Sequence, residues 1–198
     1  MRVLISVPSF DHVHADFAFS LAALLGKMQA DSLRRPIPIS LHNPRSTLIF
    51  HARNLAVRAT LDAGATHLLF LDSDMAFPPD TLTRLASHAV PIVGADYVRR
   101  VPPHTLCGHP ADAPPRGTLR PMLSLPFGCI LIKREVLEDM SPPWFQYREG
   151  ITDADTLSED TGFCNVACRM GHTIHCDTRL EVGHVGSKVF TRKDTVPE

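Results

Sequence analysis

The sequence predicts an α/β fold in one domain, a mixed, mostly parallel sheet flanked by helices, and three observations carry that prediction. Strand-like and helix-like segments alternate with short links from Arg2 to Leu71, an order that favours parallel strands joined by right-handed crossovers. His67 to Leu71 is an almost unbroken apolar run between polar residues, as a strand covered on both faces requires. That strand ends in Asp72-Ser73-Asp74, at the edge where open α/β sheets bind ligands.

Taken in order, Arg2 to Val7 reads as the first strand, stopped by Pro8-Ser9. Phe17, Leu21, Leu24, Leu25 and Met28 then share one side of a helix. Pro36 to Leu41 is a second strand, and the turn Asn43-Pro44-Arg45-Ser46 leads into a helix from about Thr47 to Ala63, closed by Gly64. After the aspartates, Pro79 to His88 is expected to be helical and Pro91 to Ala95 extended. Residues 101–121 hold six prolines, two glycines and two histidines, which predicts a long surface loop of the kind that often serves as a lid. Met122 to Leu125 and Cys129 to Ile132 read as a pair of strands around Pro126-Phe127-Gly128, followed by a short helix from Arg134 to Met140. Beyond a polar loop at 148–157, Ser158 is an N-cap with Glu159 and Asp160 in the first turn, and Gly171 ends that helix. His172 to Cys176 and Leu180 to His184 are short strands. The domain is placed at 1–187, with a polar tail at 188–198.

A chain of 198 residues can bury a substantial core without staples, and its five cysteines are expected to be reduced thiols. A formal charge of −1 gives no global reason to expect nucleic acid or an anionic membrane, so any anion must be bound locally. The N-terminal apolar run is too short for a signal peptide, and no stretch approaches the roughly 20 apolar residues of a membrane span, so a cytoplasmic location is expected.

Two hard carboxylates at a sheet edge suit Mg²⁺ or Mn²⁺, which take few protein ligands and complete their shells from water and phosphate oxygens. Aspartates after strands also serve as turn formers, and Glu-Asp is what any helix N-terminus prefers. A competing soft-ligand site, zinc at Cys164, Cys168, His172, His175 and Cys176, has a spacing that matches no standard finger. Arg53 has the chemistry for bidentate hydrogen bonds to phosphate.

The order of Pro8-Ser9, Ala52-Arg53-Asn54, Phe70-Leu71-Asp72-Ser73-Asp74, Phe127-Gly128-Cys129, Trp144-Phe145, Ser158-Glu159-Asp160-Thr161-Gly162-Phe163 and Gly183-His184-Val185-Gly186 resembles small GT-A glycosyltransferases of the compact, family-two-like bacterial and phage type. The resemblance spans residues 1–187 and implies a single-domain GT-A, Rossmann-like fold. It implies a metal-dependent transferase that moves a sugar from a nucleotide-diphosphate sugar, UDP-sugars among the candidates, to an acceptor hydroxyl. The acceptor would be a glycan, a small molecule or a protein.

On matching positions it implies that Asp72, Asp74 and His184 hold the metal, Mn²⁺ or Mg²⁺. Pro8, Ser9, Arg53, Asn54, Asp72 and Ser73 would border the donor, and Glu159 and Asp160 would face the acceptor, with Asp160 as general base of an inverting displacement. The position of Asp160 in a helix N-terminus favours its ionised form. His42-Asn43-Pro44 stands where many relatives have an acidic residue that contacts the base. The other reading is a non-catalytic nucleotide-sugar-binding or interaction module on the same scaffold. Loop 101–121 and the tail, with Lys188, Arg192 and Lys193, are expected to close over the donor.

Overall fold

A computed structural model describes residues 1–31, 36–150 and 156–186. Among the described residues the strands are β1 (Val3–Ser6), β2 (Ile39–His42), β3 (His67–Leu71), β4 (Met75–Ala76), β5 (Ile92–Gly94), β6 (His109–Pro110), β7 (Leu119–Ser124), β8 (Cys129–Lys133), β9 (Ile174–Asp177) and β10 (Gly183–His184). The helices are α1 (Ala15–Asp31), α2 (Ile49–Asp62), α3 (Thr81–Ser87), α4 (Arg134–Asp139) and α5 (Glu159–Arg169).

One sheet of eight strands runs in the order β2-β1-β3-β8-β5-β9-β7-β6. Its pairings make β7 and β8 antiparallel to the other six strands, so the sheet is mixed and mostly parallel, as the sequence predicts. β3 behaves as a strand covered on both faces. Leu68 and Phe70 enter one core with Val136, Phe145 and Phe163, whereas Leu69 and Leu71 enter the other with Phe17, Leu24 and Leu82. Strand side chains alternate between faces, and here both faces are under helices.

The expected pairing of the segments around Pro126-Phe127-Gly128 is corrected. β8 lies between β3 and β5, and β7 lies between β9 and β6, so two strands separate them in the sheet. Gly128 leaves β8 close to Asp72 instead: the Asp72 N–H donates to the Gly128 carbonyl at 3.0 Å. The proline-rich stretch also carries more order than expected, since it contains β6 and the start of β7. A small second sheet, β4 with β10 antiparallel, lies outside the main one. Among the described residues no helix is long and apolar enough to cross a membrane.

At the end of β9, the carboxylate of Asp177 is 1% exposed and ties this strand to α3. It accepts hydrogen bonds from Arg84 Nε at 2.7 Å and Nη2 at 3.1 Å, from His88 Nε2 at 2.9 Å, and from the Arg179 N–H at 3.0 Å. Burial works against its charge, but the Arg84 and His88 hydrogen bonds outweigh it and hold the carboxyl down at about 2. Asp177→Ala is therefore expected to lower the unfolding free energy by about 2–4 kcal/mol in urea denaturation at neutral pH. A lowered carboxyl contributes stability above its unfolded value and loses it as pH falls, so the gap between wild type and Asp177→Asn should close from about pH 4 downward.

Candidate functional site

The site grows from one charged residue on the buried face of α2. Ala52, Arg53, Ala56, Val57 and Thr60 form that face, and Arg53 is only 2% exposed. Its guanidinium spans three segments. Nη1 and Nη2 donate to the two oxygens of Asp72 at 3.2 and 3.3 Å, and Nε lies 3.4 Å from Glu159 Oε1 and 3.3 Å from Asp160 Oδ1. The rings of Phe70 and Phe127 stand 5.2 and 5.5 Å from the guanidinium carbon, so the cation is also held by aromatic faces. Burial alone would lower the Arg53 pKa, but Asp160, Asp72 and Glu159 outweigh that effect and keep it fully charged.

Helix α5 presents the acids as its first turn. Ser158 Oγ accepts from the Thr161 N–H at 3.3 Å, which fixes the helix start and sets Glu159 and Asp160 toward α2. Asp160 Oδ2 accepts from the Phe127 N–H at 3.1 Å, and its buried Oδ1 has no hydrogen bond among the described residues. The helix N-terminus, expected to favour the ionised form of Asp160, is opposed by its surroundings. Burial pushes its carboxyl up to about 7, against Arg53 and with help from Glu159 and Asp72. The helix N-terminus loses to desolvation and to like charge.

Asp74 belongs to a second group. The β4–β10 ribbon sets His184 opposite Met75, and the Val185 N–H donates to the Asp74 carbonyl at 2.8 Å. His184 Nε2 thereby lies 3.5 Å from Asp74 Oδ2. Its Nδ1 lies 3.1 Å from the Val98 carbonyl, which can only accept, so Nδ1 donates there and Nε2 is the nitrogen that faces Asp74. Arg100 Nη1 also reaches Asp74 Oδ2, at 2.9 Å. Tyr97 packs its ring 4.9 Å from that of His184 and accepts the Gly128 N–H at 3.1 Å. A side chain at Gly128 would place its Cβ 2.5 Å from the Tyr97 oxygen, so any larger residue there would push the Tyr97 ring aside.

Both groups line one cleft of about 400 Å³, together with Arg99, Arg100, His109 and Thr161. The metal triad, however, is not assembled as a set. Asp72 gives both oxygens to Arg53, and among the described residues no cluster of three or more His, Cys, Asp and Glu side chains is arranged to hold a metal ion. The same holds for the cysteine and histidine alternative: Cys164 is buried against the Leu125 carbonyl and His172 pairs with Asp139. Asp74 and His184 remain as two donors, which fits an Mg²⁺ or Mn²⁺ ion that completes its shell from water and phosphate.

The other expected donor contacts are redistributed. Asn54 spends its amide inside the protein: Nδ2 donates to the carbonyls of Phe50 and Phe145, and Oδ1 accepts from the N–H groups of Trp144 and Phe145, at 2.7 to 3.2 Å. It fastens the aromatic segment to α2, while Arg53 alone of the pair lines the cleft. Pro8 is buried, Ser9 joins the exits of β1 and β2 through Asn43, Pro44 and Ser46, and the Ser73 carbonyl accepts from the His14 N–H at 2.9 Å. Arg53 is likewise committed to carboxylates rather than open to phosphate. Arg99 and Arg100, which sequence reasoning missed, are the exposed cations of the cleft. Their only signal was a pair of arginines at the mouth of the proline-rich stretch. The tail residues Lys188, Arg192 and Lys193 lie outside the described residues.

No protein-family model matches the chain, and no curated protein matches it. Solved structures do. A197 from STIV aligns at 19% identity with TM-score 0.65, over 94% of this chain and 87% of that one. UDP-glucose pyrophosphorylase complexed with UDP-glucose aligns at 9% identity with TM-score 0.55, over 94% of each chain. Mannose-1-phosphate geranyltransferase from Thermus thermophilus aligns at 12% identity with TM-score 0.50, over 92% of this chain and 76% of that one. These likenesses establish a shared α/β, Rossmann-like fold.

An acid whose pKa is raised on folding favours the native state below its unfolded value, and that advantage is lost as pH rises through the folded value. Thermal melts should therefore show wild type losing more stability than Asp160→Asn between about pH 5 and pH 8, by on the order of a few kcal/mol. Asparagine can still accept the Phe127 N–H while it removes the titrating charge.

Proposed function

We propose that the chain is a glycosyltransferase that moves a sugar from a nucleotide-diphosphate sugar to an acceptor hydroxyl on a glycan, small molecule or protein, by inversion with Asp160 as base. The observation that carries this reading is the single cleft in which the half-buried Asp160 carboxyl, raised by desolvation, stands beside a separate Asp74–His184 pair and two exposed arginines. A base that titrates near neutrality is well matched to taking a proton from a hydroxyl group. Glu159 and Asp72 raise its basicity, and Arg53 fixes its position. Asp74 and His184 would hold Mn²⁺ or Mg²⁺, which when bound offsets charge on the leaving diphosphate. Arg99 supplies charge-assisted hydrogen bonds to the same oxygens.

The nucleotidyl-transfer chemistry of the pyrophosphorylase neighbour fits less well. It would call for a glycine-rich phosphate loop after the first strand. Here Val7-Pro8-Ser9-Phe10 has no glycine, and the Ser9 and Ser46 N–H groups already donate to the carbonyls of Pro44 and Ser9. A binding module without turnover is favoured by one feature: Asp160 is already engaged by Phe127 and Arg53.

Release of UDP from UDP-sugars with Mn²⁺, water replacing the acceptor, separates the two. The enzyme reading expects slow hydrolysis whose rate rises with pH through about 7, a fall of roughly 100-fold or more in Asp160→Asn with UDP binding retained, and loss in Asp74→Ala. Binding of UDP and Mn²⁺ with no hydrolysis of any UDP-sugar would favour the module.

A further inference from the structure

Arg100 reaches the one carboxylate oxygen that also faces His184. Its Nη1 lies 2.9 Å from Asp74 Oδ2 and 3.0 Å from the Val185 carbonyl, while His184 Nε2 lies 3.5 Å from the same Oδ2. The aliphatic stem is laid along Gly186: a Cβ on that residue would come within 3.0 Å of Arg100 Cδ, so the absence of a side chain there gives the stem its path. The guanidinium therefore stands on the two-donor site. Arg53 cannot do this, because its nitrogens are spent on Asp72, Glu159 and Asp160.

A divalent cation that binds Asp74 Oδ2 and His184 Nε2 must come within about 2.0–2.3 Å of both. A guanidinium bonded to the same oxygen cannot remain beside it, on grounds of both space and like charge. We propose that Arg100 is a built-in competitor for the divalent cation: its ion pair with Asp74 and a metal on Asp74 Oδ2 exclude each other, so Arg100 must leave before a metal enters. The Arg100 side chain is 46% exposed, so the exchange needs only a side-chain rotation. It also lines the much larger neighbouring cavity of about 1330 Å³, which gives the displaced group somewhere to go. This inference rests on the reading of Asp74 and His184 as the metal-holding pair.

Isothermal titration with Mn²⁺ alone, without nucleotide, tests it. Arg100→Gln removes the charge and keeps most of the stem, and it should bind Mn²⁺ more tightly than wild type by up to about fivefold, the range expected when a solvent-accessible ion pair no longer has to be broken. Arg100→Lys keeps a cation and should stay near wild type, and adding Asp74→Asn to Arg100→Gln should abolish the gain. Thermal melts of each variant confirm the fold. Equal or weaker binding by Arg100→Gln, with Asp74→Asn still weakening wild type, overturns the competitor role and leaves the metal pair standing. A gain that survives Asp74→Asn overturns it as well, because the metal would then sit elsewhere. No Mn²⁺ binding by any variant overturns both the competitor and the metal pair, while UDP binding, measured separately, still reports on the nucleotide part of the proposed function.

Discussion

The buried guanidinium of Arg53 is the constraint on which the rest of this structure depends. It brings the end of β3, the first turn of α5 and the face of α2 to one point, and Phe127 closes the point from the approach to β8. An unpaired charge in that position would cost several kcal/mol, so the three carboxylates are needed as much as they need it. Three acids against one base also leave the cluster short of positive charge. Burial, with the neighbouring acids, lifts the Asp160 carboxyl toward neutrality, which ties the electrostatics of the site to the packing of the fold.

The second half of the cleft obeys different rules. Asp74, His184 and Arg100 are partly exposed, their contacts can be remade by side-chain rotation, and they are assembled by a two-residue ribbon rather than by the core. One wall is therefore fixed and the other adjustable. In the proposed function, the fixed wall would carry the base and the adjustable one the cation site.

Much of the fold was legible because burial leaves a periodic trace. The apolar run before Asp72 and the helical spacing from Phe17 to Met28 correspond to β3 and α1, and Ser158 does cap α5. Strand neighbours were not legible: Met122–Leu125 and Cys129–Ile132 read as a pair because a turn lies between them, but hydropathy does not record which strands hydrogen-bond. In the site, Arg53, Asp72, Glu159 and Asp160 were visible as residue types, yet not their mutual pairing, which depends on contacts 19 and 106 residues apart in sequence. Asn54 was misread for a similar reason, since an amide beside an arginine on a helix gives no sign that it clamps Trp144 and Phe145. Arg100 was hidden just before the proline-rich stretch, where no helix or strand spacing singled it out.

The most direct measure of the central claim is a double-mutant cycle in urea denaturation at pH 8, with Arg53→Met, Asp160→Asn and the pair. If Arg53 and the acid hold each other in place, the single Arg53→Met change is costly, and Asp160→Asn recovers part of the loss, giving a coupling of more than about 1 kcal/mol. Additive effects, within about 0.5 kcal/mol, would mean that the guanidinium does not organise the cluster, and the account built on it would fail.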